Sequence, residues 1–506
     1  MSLDADACYR ALAARDARFD GVFFVGVTTT GIYCRPVCRA RTPGRARCRF
    51  FRLGAEAEHA GYRACFRCRP ELAPGSASVD ARSRLVARAV ARIDAGALNE
   101  ASLAAELGVT ARHLRRALGD ELGLSPVALA QSRRLALAKA LLCDSALDVA
   151  GVAFASGFGS VRRLNALFRA RFGRSPSSVR RERAGRAGRA HDTGPGATPR
   201  AGLDAVTVKL GYRPPFAWGE LLAFLRPRAL AGVELVTAER YLRTVALAGH
   251  RGALEVRDVP AAHAVEVTVG AELAPVLRAV VARVRRMFDL DADPSAVDAH
   301  LARDPLLRAG VRRVPGLRVP GAFDPFEMAL RAVLGQQVSV AGATTLAGRL
   351  VARFGAPLDT GRSELARTFP SAATLAAVPV EELAALGLPA SRARTLAAVA
   401  RACAAGQLPL EDPSAHEAWT RALAAIPGIG PWTTAYLALR LGVPDAFPET
   451  DLGLRRALGP DAAGVRTASA RWRPWRAYAA LHLWRDQGPT SLRPRQRRRT
   501  DKEETP

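Results

Sequence analysis

The chain has 506 residues, of which 49% are hydrophobic and 24% charged, and its formal net charge at pH 7 is +27. This length allows three or four domains with separate cores, while the lack of any apolar run of about 18 residues argues against a membrane-spanning helix. The acid-containing N-terminal segment has no apolar stretch typical of a signal peptide, so we expect a cytoplasmic protein. The positive charge favours a polyanionic partner such as nucleic acid, with a merely solvated basic surface as the alternative.

Six of the eight cysteines fall within residues 1–76, which are predicted to form a first domain. Four of the six make two close pairs, with 26 residues between one pair and the other. The paired cysteines are Cys34, Cys38, Cys65 and Cys68. Four thiolates from two short loops give the tetrahedral sulfur site that Zn²⁺ prefers, and a cytosolic chain keeps such thiols reduced. The spacing therefore predicts one zinc ion that staples a small domain.

The strings TTTGIYCRPVCRAR and GYRACFRCRP resemble the N-terminal sensor domain of Ada-type alkylation-response regulators, over most of residues 8–70. The resemblance implies that Cys34 takes a methyl group irreversibly from a methylated DNA phosphate. Zinc is then both structural and activating, because it keeps the thiolate deprotonated but nucleophilic at neutral pH. Arg35 and Arg39 flank the site and are candidate contacts to the DNA backbone. A purely structural zinc site is the alternative.

Residues 80–182 carry apolar side chains at helical spacing and contain two successive helix-turn-helix patterns. The paired arrangement, with its GF-S…F-R–FG–P pattern, resembles the AraC-type DNA-binding domain. The resemblance implies that the second helix of each motif enters a major groove. Arg and Asn have the bidentate geometry that matches guanine and adenine edges, although each residue could instead contact phosphate or solvent. The candidates are Arg112, Arg116, Arg162, Arg163 and Asn165.

Composition changes again after the second helix-turn-helix. Residues 183–203 are rich in Gly, Pro, Arg and Ala and lack an apolar face, which predicts a flexible linker. Between 204 and 290, runs such as DAVTVKL and HAVEVTV alternate like strands and two helical stretches interrupt them, so we expect an α+β domain. Residues 291–487 are helical once more, and 488–506 are predicted to be disordered.

The string AIPGIGPWTTAYLALR predicts a helix-hairpin-helix. Gly428 and Gly430 let the backbone approach a DNA phosphate, and the N terminus of the following helix favours an anion. Alone, this motif indicates only binding to the DNA backbone. The downstream string FPETDLGLRRALG places Asp451 at the start of a predicted helix, with Glu449 and Asp445 as weaker acidic candidates.

The hairpin, Asp451 and strings such as RVPGAFDPFEMALRAVLGQQVSV and RWRPWRAYAALHLW resemble AlkA-type 3-methyladenine DNA glycosylases, from about 206 to 486. The resemblance implies a TATA-binding-protein-like sheet followed by a helical glycosylase domain. It makes Asp451 the catalytic carboxylate, which stabilises the positive charge that develops on the sugar as the base leaves. An ordinary N-capping aspartate is the alternative.

The same resemblance assigns a pocket for the flipped base and a wedge that enters the duplex. Trp432, Tyr436 and Phe224 are the pocket aromatics, whose rings suit a cationic alkylated base, although the first two could be plain core. Gln337 occupies the wedge position. Arg485 stands where some relatives have a tyrosine, which leaves the base preference open.

Two absences limit the chemistry. Residues 210–501 contain no lysine, so a lysine Schiff base that cuts the strand is excluded there. Cys403 is the one cysteine in this half, which excludes a four-cysteine iron–sulfur cluster. We therefore expect a monofunctional glycosylase that leaves an abasic site.

The predicted fold class is multidomain, mainly α with α+β parts. The predicted protein senses methylated phosphate through Cys34, activates promoters with RNA polymerase as partner, and excises alkylated bases from double-stranded DNA through Asp451. One alternative is a methylation-responsive regulator whose glycosylase half is inactive and only binds DNA. The other is a repair enzyme whose front half merely delivers it to DNA.

Overall fold

The structure is a computed structural model that describes residues 3–75, 84–96, 99–182, 205–411, 415–459 and 461–486. The predicted linker over 183–203 and the predicted disordered tail over 488–506 lie outside the described residues. None of the helices in the described ranges has the length and apolarity needed to cross a bilayer.

The first 75 residues contain a four-stranded sheet and two helices. The strand order is β3-β1-β2-β4, with β1 antiparallel to both its neighbours and β4 parallel to β2. One small core of this part consists largely of cysteines, with Leu12 and Val25. The elements are α1 Ala5–Ala14, β1 Phe24–Val27, β2 Ile32–Cys34, β3 Cys48–Phe51, α2 Gly54–His59 and β4 Arg63–Ala64.

The next described part is helical and contains both predicted helix-turn-helix motifs. α4 and α5 form the first motif, α7 and α8 form the second, and the long α6 connects them. The helices are α3 Arg84–Ala95, α4 Glu100–Glu106, α5 Ala111–Leu122, α6 Pro126–Asp144, α7 Val149–Ala155 and α8 Val161–Phe172.

A five-stranded antiparallel sheet follows, in the order β5-β9-β8-β7-β6. Its apolar face, α6–α8 and part of the first sheet share one hydrophobic core, so these parts are packed together. The elements are β5 Ala205–Gly211, α9 Trp218–Leu225, β6 Glu234–Val236, β7 Arg240–Leu247, β8 His250–Val259, β9 Ala264–Gly270 and α10 Leu277–Met287.

The remaining helices surround a separate core in which Trp419 and Trp472 are almost completely buried. In chain order they are α11 Pro294–Leu301, α12 Pro305–Arg313, α13 Pro325–Leu334, α14 Val340–Phe354, α15 Ala372–Ala376, α16 Val380–Ala384, α17 Ala390–Ala404, α18 His416–Ala424, α19 Pro431–Arg440, α20 Leu452–Leu458, α21 Ala462–Ser469 and α22 Arg476–Asp486. The predicted fold class, mainly α with two α+β parts, is confirmed.

Candidate functional site

The two cysteine pairs converge beside the first sheet. β2 ends at Cys34, and Cys65 directly follows β4. The sulfur atoms of the four paired cysteines lie within 4.8 Å of one another, which fits a tetrahedron around Zn²⁺ with metal–sulfur distances of about 2.3 Å. Cys68 is partly exposed, whereas the other three are buried. The donor set therefore fits the zinc ion expected from the cysteine spacing.

Backbone amides distinguish the four sulfur atoms. Three of them interact with an N–H group: Cys68 with that of Arg35 at 3.4 Å, Cys65 with that of Arg67 at 3.3 Å, and Cys38 with that of Ala40. Among the described residues, no backbone N–H group is found to donate to Cys34 Sγ. Since a hydrogen bond to a thiolate stabilises its charge, Cys34 differs from the other three in lacking this stabilisation by a described backbone amide.

Arg35 is buried, with 7% of its surface exposed. Its guanidinium forms a bidentate ion pair with Asp20, in which Nε donates to Oδ1 at 2.8 Å, and its Nη1 donates to the Cys68 carbonyl at 3.3 Å. This placement contradicts the predicted DNA contact of Arg35, because all three guanidinium nitrogens already have protein partners. Arg39 is exposed, as a phosphate contact requires.

Both predicted recognition helices turn their first residues to solvent. The Thr110 hydroxyl caps α5 by accepting from the His113 N–H at 3.2 Å, and the Ser160 hydroxyl caps α8 in the same way. The exposed candidates are Arg112, Arg116, Arg162 and Arg163, and Asn165 is partly buried. Their roles in reading DNA stay predictions.

The turn between α18 and α19 depends on one glycine more than on the other. Gly428 has φ +90°, and a Cβ atom there would lie 2.3 Å from Thr395 Oγ1, so a side chain does not fit. Gly430 has φ −98°, and a Cβ atom there would meet nothing within 4 Å. Gly430 immediately precedes α19, whose free N-terminal amides suit an approaching phosphate.

Gln336 ties the hairpin to the loop between α13 and α14. Its Nε2 donates to the Gly428 carbonyl and to Thr433 Oγ1, each at 2.9 Å, and Arg392 donates to its carbonyl at 2.7 Å. The adjacent Gln337 is exposed and left-handed, with φ +56°. The candidate wedge residue therefore stands on a loop that is fastened to the hairpin. The sequence interpretation missed Gln336, because its partners lie 56 to 97 residues away along the chain.

Asp451 is the N-cap of α20, and it also receives two indole groups. Its Oδ1 accepts from the amides of Gly453 at 2.9 Å and Leu454 at 3.1 Å, as the N-cap alternative expects. In addition, Trp484 Nε1 donates to Oδ1 at 2.8 Å and Trp432 Nε1 donates to Oδ2 at 2.9 Å. Helix capping alone requires neither indole. Trp484 was not among the candidate site residues, and its only signal was a position inside the string RWRPWRAYAALHLW.

Aromatic rings extend from Asp451 into the interior. Trp432 and Tyr436 are stacked with centroids 5.1 Å apart and an interplanar angle of 5°, and Trp484 lies 6.3 Å from Tyr436. Burial acts to raise the pKa of Tyr436, but the guanidinium groups of Arg440 and Arg228 outweigh it and lower that pKa. Arg440 Nη1 donates to the Tyr436 hydroxyl at 3.0 Å.

Phe224 borders the same region from α9. The guanidinium carbon of Arg228 lies 3.8 Å from its ring centroid, and that of Arg440 lies 5.2 Å away. One turn earlier on α9, Glu220 forms an ion pair with Arg485, whose Nε donates at 2.9 Å. Trp432 and Tyr436 thus stack beside Asp451, while the Arg440 guanidinium lies between Tyr436 and Phe224. An ion pair joins α9 to α22 at the edge of this region.

The two weaker acidic candidates, Glu449 and Asp445, form ion pairs with arginines. Glu449 accepts from Arg466 Nε at 2.8 Å. Asp445 accepts from Arg473 Nη1 and from Arg476 Nε, each at 2.8 Å. These ion pairs neutralise both carboxylates, whereas the described partners of Asp451 are neutral N–H groups that leave its charge in place.

Four protein families match segments of the chain. They are the metal binding domain of Ada over residues 7–71, a helix-turn-helix domain over 103–182, the AlkA N-terminal domain over 207–324, and the HhH-GPD superfamily of base excision DNA repair proteins over 330–465. The order of the matches along the chain is that of the parts described above.

Some similar proteins match almost the whole chain, and others match about half of it. A Mycobacterium tuberculosis protein described as a probable bifunctional transcriptional activator/DNA repair enzyme AlkA is 42% identical over 496 residues, which is 96% of this chain and 97% of the relative. DNA-3-methyladenine glycosylase 2 of Escherichia coli is 38% identical over 55% of this chain and 97% of its own length. The fold of a solved 3-methyladenine DNA glycosylase from Archaeoglobus fulgidus covers 56% of this chain and 99% of that chain, with a TM-score of 0.50 and 22% identity. The chain therefore belongs to the family of bifunctional transcriptional activator/DNA repair enzymes of the AlkA type.

Proposed function

We propose that this protein hydrolyses the N-glycosidic bond of alkylated bases of the 3-methyladenine type in double-stranded DNA, and that its front half senses methylated phosphates and activates transcription. The observation that carries the glycosylase activity is the pair of indole N–H groups, from Trp432 and Trp484, that orient the Asp451 carboxylate beside an aromatic pocket. The names of the Mycobacterium tuberculosis and Escherichia coli relatives agree with this activity.

The reaction follows from the charge of the substrate and of Asp451. An N-alkylated purine is cationic, so it leaves with the electrons of the glycosidic bond and becomes neutral without strong acid assistance. Positive charge then develops on the sugar, and the Asp451 carboxylate stabilises it. Oδ2 accepts only one of the described hydrogen bonds and keeps a lone pair for this role. Water adds to the sugar, releases a proton to solvent and leaves an abasic site.

The aromatic rings supply binding for the flipped base. Trp432, Tyr436 and Trp484 offer electron-rich faces to a cation in a partly desolvated site. Gln337 fills the space that the base leaves in the duplex, and Gly430 brings the hairpin amides to a phosphate. No lysine lies between residues 210 and 501, so the strand remains uncut after the base is released.

In the front half, Cys34 accepts a methyl group from a DNA phosphotriester. Its thiolate sulfur forms a bond to the methyl carbon, the carbon–oxygen bond breaks, and the phosphodiester leaves as an anion. A bound zinc ion would be held by the four paired cysteines and would keep them deprotonated. Cys34 lacks the amide donors that stabilise the other sulfurs, so it is the most nucleophilic. Arg39 is available for the phosphate backbone.

Methyl transfer to Cys34 favours binding of the two recognition helices, α5 and α8, to promoter DNA. A site with four thiolates and one Zn²⁺ carries a net charge of about −2, and methylation of one thiolate reduces its repulsion of DNA phosphates. α5 and α8 then enter successive major grooves, and the bound activator recruits RNA polymerase. The working units are residues 1–76, 80–182, 204–290 and 291–487, with one zinc ion and no iron–sulfur cluster.

The first experiment measures release of 3-methyladenine and 7-methylguanine from alkylated duplex DNA by the wild type, Asp451→Asn and Glu449→Gln. We expect release to be lost in Asp451→Asn, which keeps a capping side chain, and kept in Glu449→Gln, with an uncut strand throughout. If the folded wild type releases no base, the glycosylase assignment fails and the inactive-glycosylase regulator is correct.

The second experiment tests Cys34 independently. The protein is incubated with DNA methylated on its phosphates, and the modified cysteine is located by peptide mass spectrometry. We expect one methyl group on Cys34 in the wild type and in Cys143→Ser, which changes a thiol outside the zinc site. A methyl group on a different cysteine, or none, would overturn the assignment without affecting the glycosylase activity.

A further inference from the structure

Arg213 lies where the first 75 residues meet the glycosylase half. It follows β5 and is 2% exposed. Its Nε donates to the Asp20 carbonyl at 3.0 Å, its Nη2 to the Gly75 carbonyl at 2.6 Å, and its Nη1 to the Asp291 carbonyl at 2.7 Å. One buried side chain thus holds two segments of the zinc-binding part and one segment of the glycosylase half.

Asp20 connects Arg213 to the cysteine site. Its carbonyl accepts from Arg213, while its carboxylate, 3% exposed as a residue, binds the Arg35 guanidinium. Arg35 in turn donates its N–H to Cys68 Sγ at 3.4 Å and its Nη1 to the Cys68 carbonyl at 3.3 Å. A series of buried hydrogen bonds therefore runs from a candidate zinc ligand through Arg35, Asp20 and Arg213 into the glycosylase half.

The backbone of the zinc-binding part and that of the glycosylase half lie in close contact where the two parts meet. A Cβ atom on Gly211 would lie 1.8 Å from the Leu72 carbonyl oxygen across the joint. The Gly75 N–H donates to Asp291 Oδ1 at 2.8 Å, so the end of the zinc-binding part is fastened from both sides of its peptide. Such contacts hold only while residues 20–75 keep their fold.

Residues 20–75 include all four candidate zinc ligands, so we expect their fold to depend on the metal. Three of the four cysteines that fit zinc belong to the small buried core shared with Leu12 and Val25, and Cys68 packs against it, so loss of zinc removes both ligation and packing. Without an ordered Asp20 and Gly75, the buried Arg213 cation would lose two of the four carbonyl groups to which it donates, which is strongly unfavourable. We propose that Arg213 is the docking residue that couples the state of the cysteine site to the stability of the glycosylase half. This coupling goes beyond the proposed activities and depends on neither methyl transfer nor base excision.

The test is backbone hydrogen–deuterium exchange on the full chain, with zinc bound and after removal by a chelator, metal content being measured in each sample. In the wild type we expect zinc removal to accelerate exchange in β5 and in 286–293 by roughly tenfold or more. Arg257→Met is the matched control, because this arginine lies on the same sheet in an ion pair with Glu266. It should respond like the wild type, whereas Arg213→Met should exchange quickly in β5 with or without zinc.

A second variant tests the coupling with Arg213 left in place, so the test does not depend on the folding of Arg213→Met. Asp20→Asn weakens the bond to Arg35 but keeps the carbonyl that Arg213 uses, so β5 should stay protected in the presence of zinc and respond less to its removal. The proposal is wrong if zinc removal speeds exchange in β1 and β2 of the wild type while β5 remains slow. It is also wrong if Asp20→Asn responds as strongly as the wild type. Base excision by the same samples is measured separately, so a failed glycosylase assignment cannot be mistaken for failed coupling.

Discussion

Asp451 caps its own helix and also accepts hydrogen bonds from two side chains that are distant in the sequence. The local sequence explains the cap, because a short acidic side chain before Leu452–Leu458 satisfies the first free amides of that helix. The two indoles come from 19 residues before Asp451 and 33 residues after it. They fix the carboxylate between α19 and α22, so its orientation is set by the packing of three helices. A capping aspartate becomes a candidate catalytic group through these two contacts.

Trp484→Phe should therefore reduce base excision while leaving the helix cap intact. The change keeps an aromatic ring but removes one N–H···O bond to a charged group, which is worth about 1.5–3 kcal/mol. We expect single-turnover excision of 3-methyladenine to slow by roughly 10- to 100-fold. Trp475→Phe is the control, since Trp475 packs against His300 and its indole is not among the described donors to Asp451. Equal rates for Trp484→Phe and the wild type would show that the indole does not orient the carboxylate.

His482 is an unusual buried residue on α22. It is 1% exposed, and neither ring nitrogen has a hydrogen-bond partner in the described part of the chain. Burial lowers its pKa to about 4, against a smaller opposing effect of the Asp486 carboxylate. The folded protein therefore holds a neutral imidazole, whereas the unfolded chain protonates it near its ordinary pKa of about 6.5.

This difference predicts a loss of stability in acid. Because the folded pKa is the lower one, the unfolded state binds the extra proton as the pH falls through 6.5, and stability decreases until about pH 4. We expect the wild type to lose about 2 kcal/mol more than His482→Leu between pH 7.5 and pH 5. Urea unfolding followed by tryptophan fluorescence suits the measurement, since all six tryptophans lie at or beyond residue 218. Parallel pH profiles for the two proteins would contradict this account.

At the scale of elements, the two hairpin glycines differ in the space around them: a side chain does not fit at Gly428, whereas nothing lies within 4 Å of a Cβ atom at Gly430. Gly428→Ala combines an unfavourable left-handed φ with a collision against Thr395, so it should destabilise the hairpin. Gly430→Ala meets no protein atom and should leave the thermal midpoint within about 2 °C of the wild type. It should nevertheless weaken binding to undamaged duplex DNA, because the added methyl group faces the expected phosphate. Unchanged DNA affinity in Gly430→Ala would place the phosphate elsewhere.

Motifs with local spacing were predictable from the sequence, and contacts between distant elements were not. The cysteine pairs, the hairpin glycines and Asp451 each have their signal within a few residues. Gln336 and Trp484 acquire their roles only when α13 and α22 pack beside the hairpin. Arg35 was misplaced for the same reason, since its basic side chain next to Cys34 suggested DNA, while the fold provides Asp20 as a buried partner.

At the scale of the whole molecule, the net positive charge favours binding to a polyanion such as DNA. The formal charge of +27 includes exposed arginines on both predicted recognition helices, α5 and α8. The hairpin, by contrast, offers backbone amides. Since binding that neutralises phosphates releases counterions, affinity should depend steeply on salt, and each reader arginine that contacts a phosphate should contribute to that dependence.

Replacing both Arg162 and Arg163 by alanine should isolate this contribution. Each lost phosphate contact lowers the slope of log affinity against log salt by about 0.9, so the double variant should bind a random duplex with a slope smaller by about 2. Base excision from a short alkylated duplex should be unaffected, because the hairpin and Asp451 remain intact. Arg353→Ala is a suitable control, since Arg353 is exposed, pairs with Glu382 and lies at the far end of α14 from Gln337. An unchanged slope would show that these arginines do not contact phosphates, and a parallel loss of excision would show that the two halves bind DNA as a single surface.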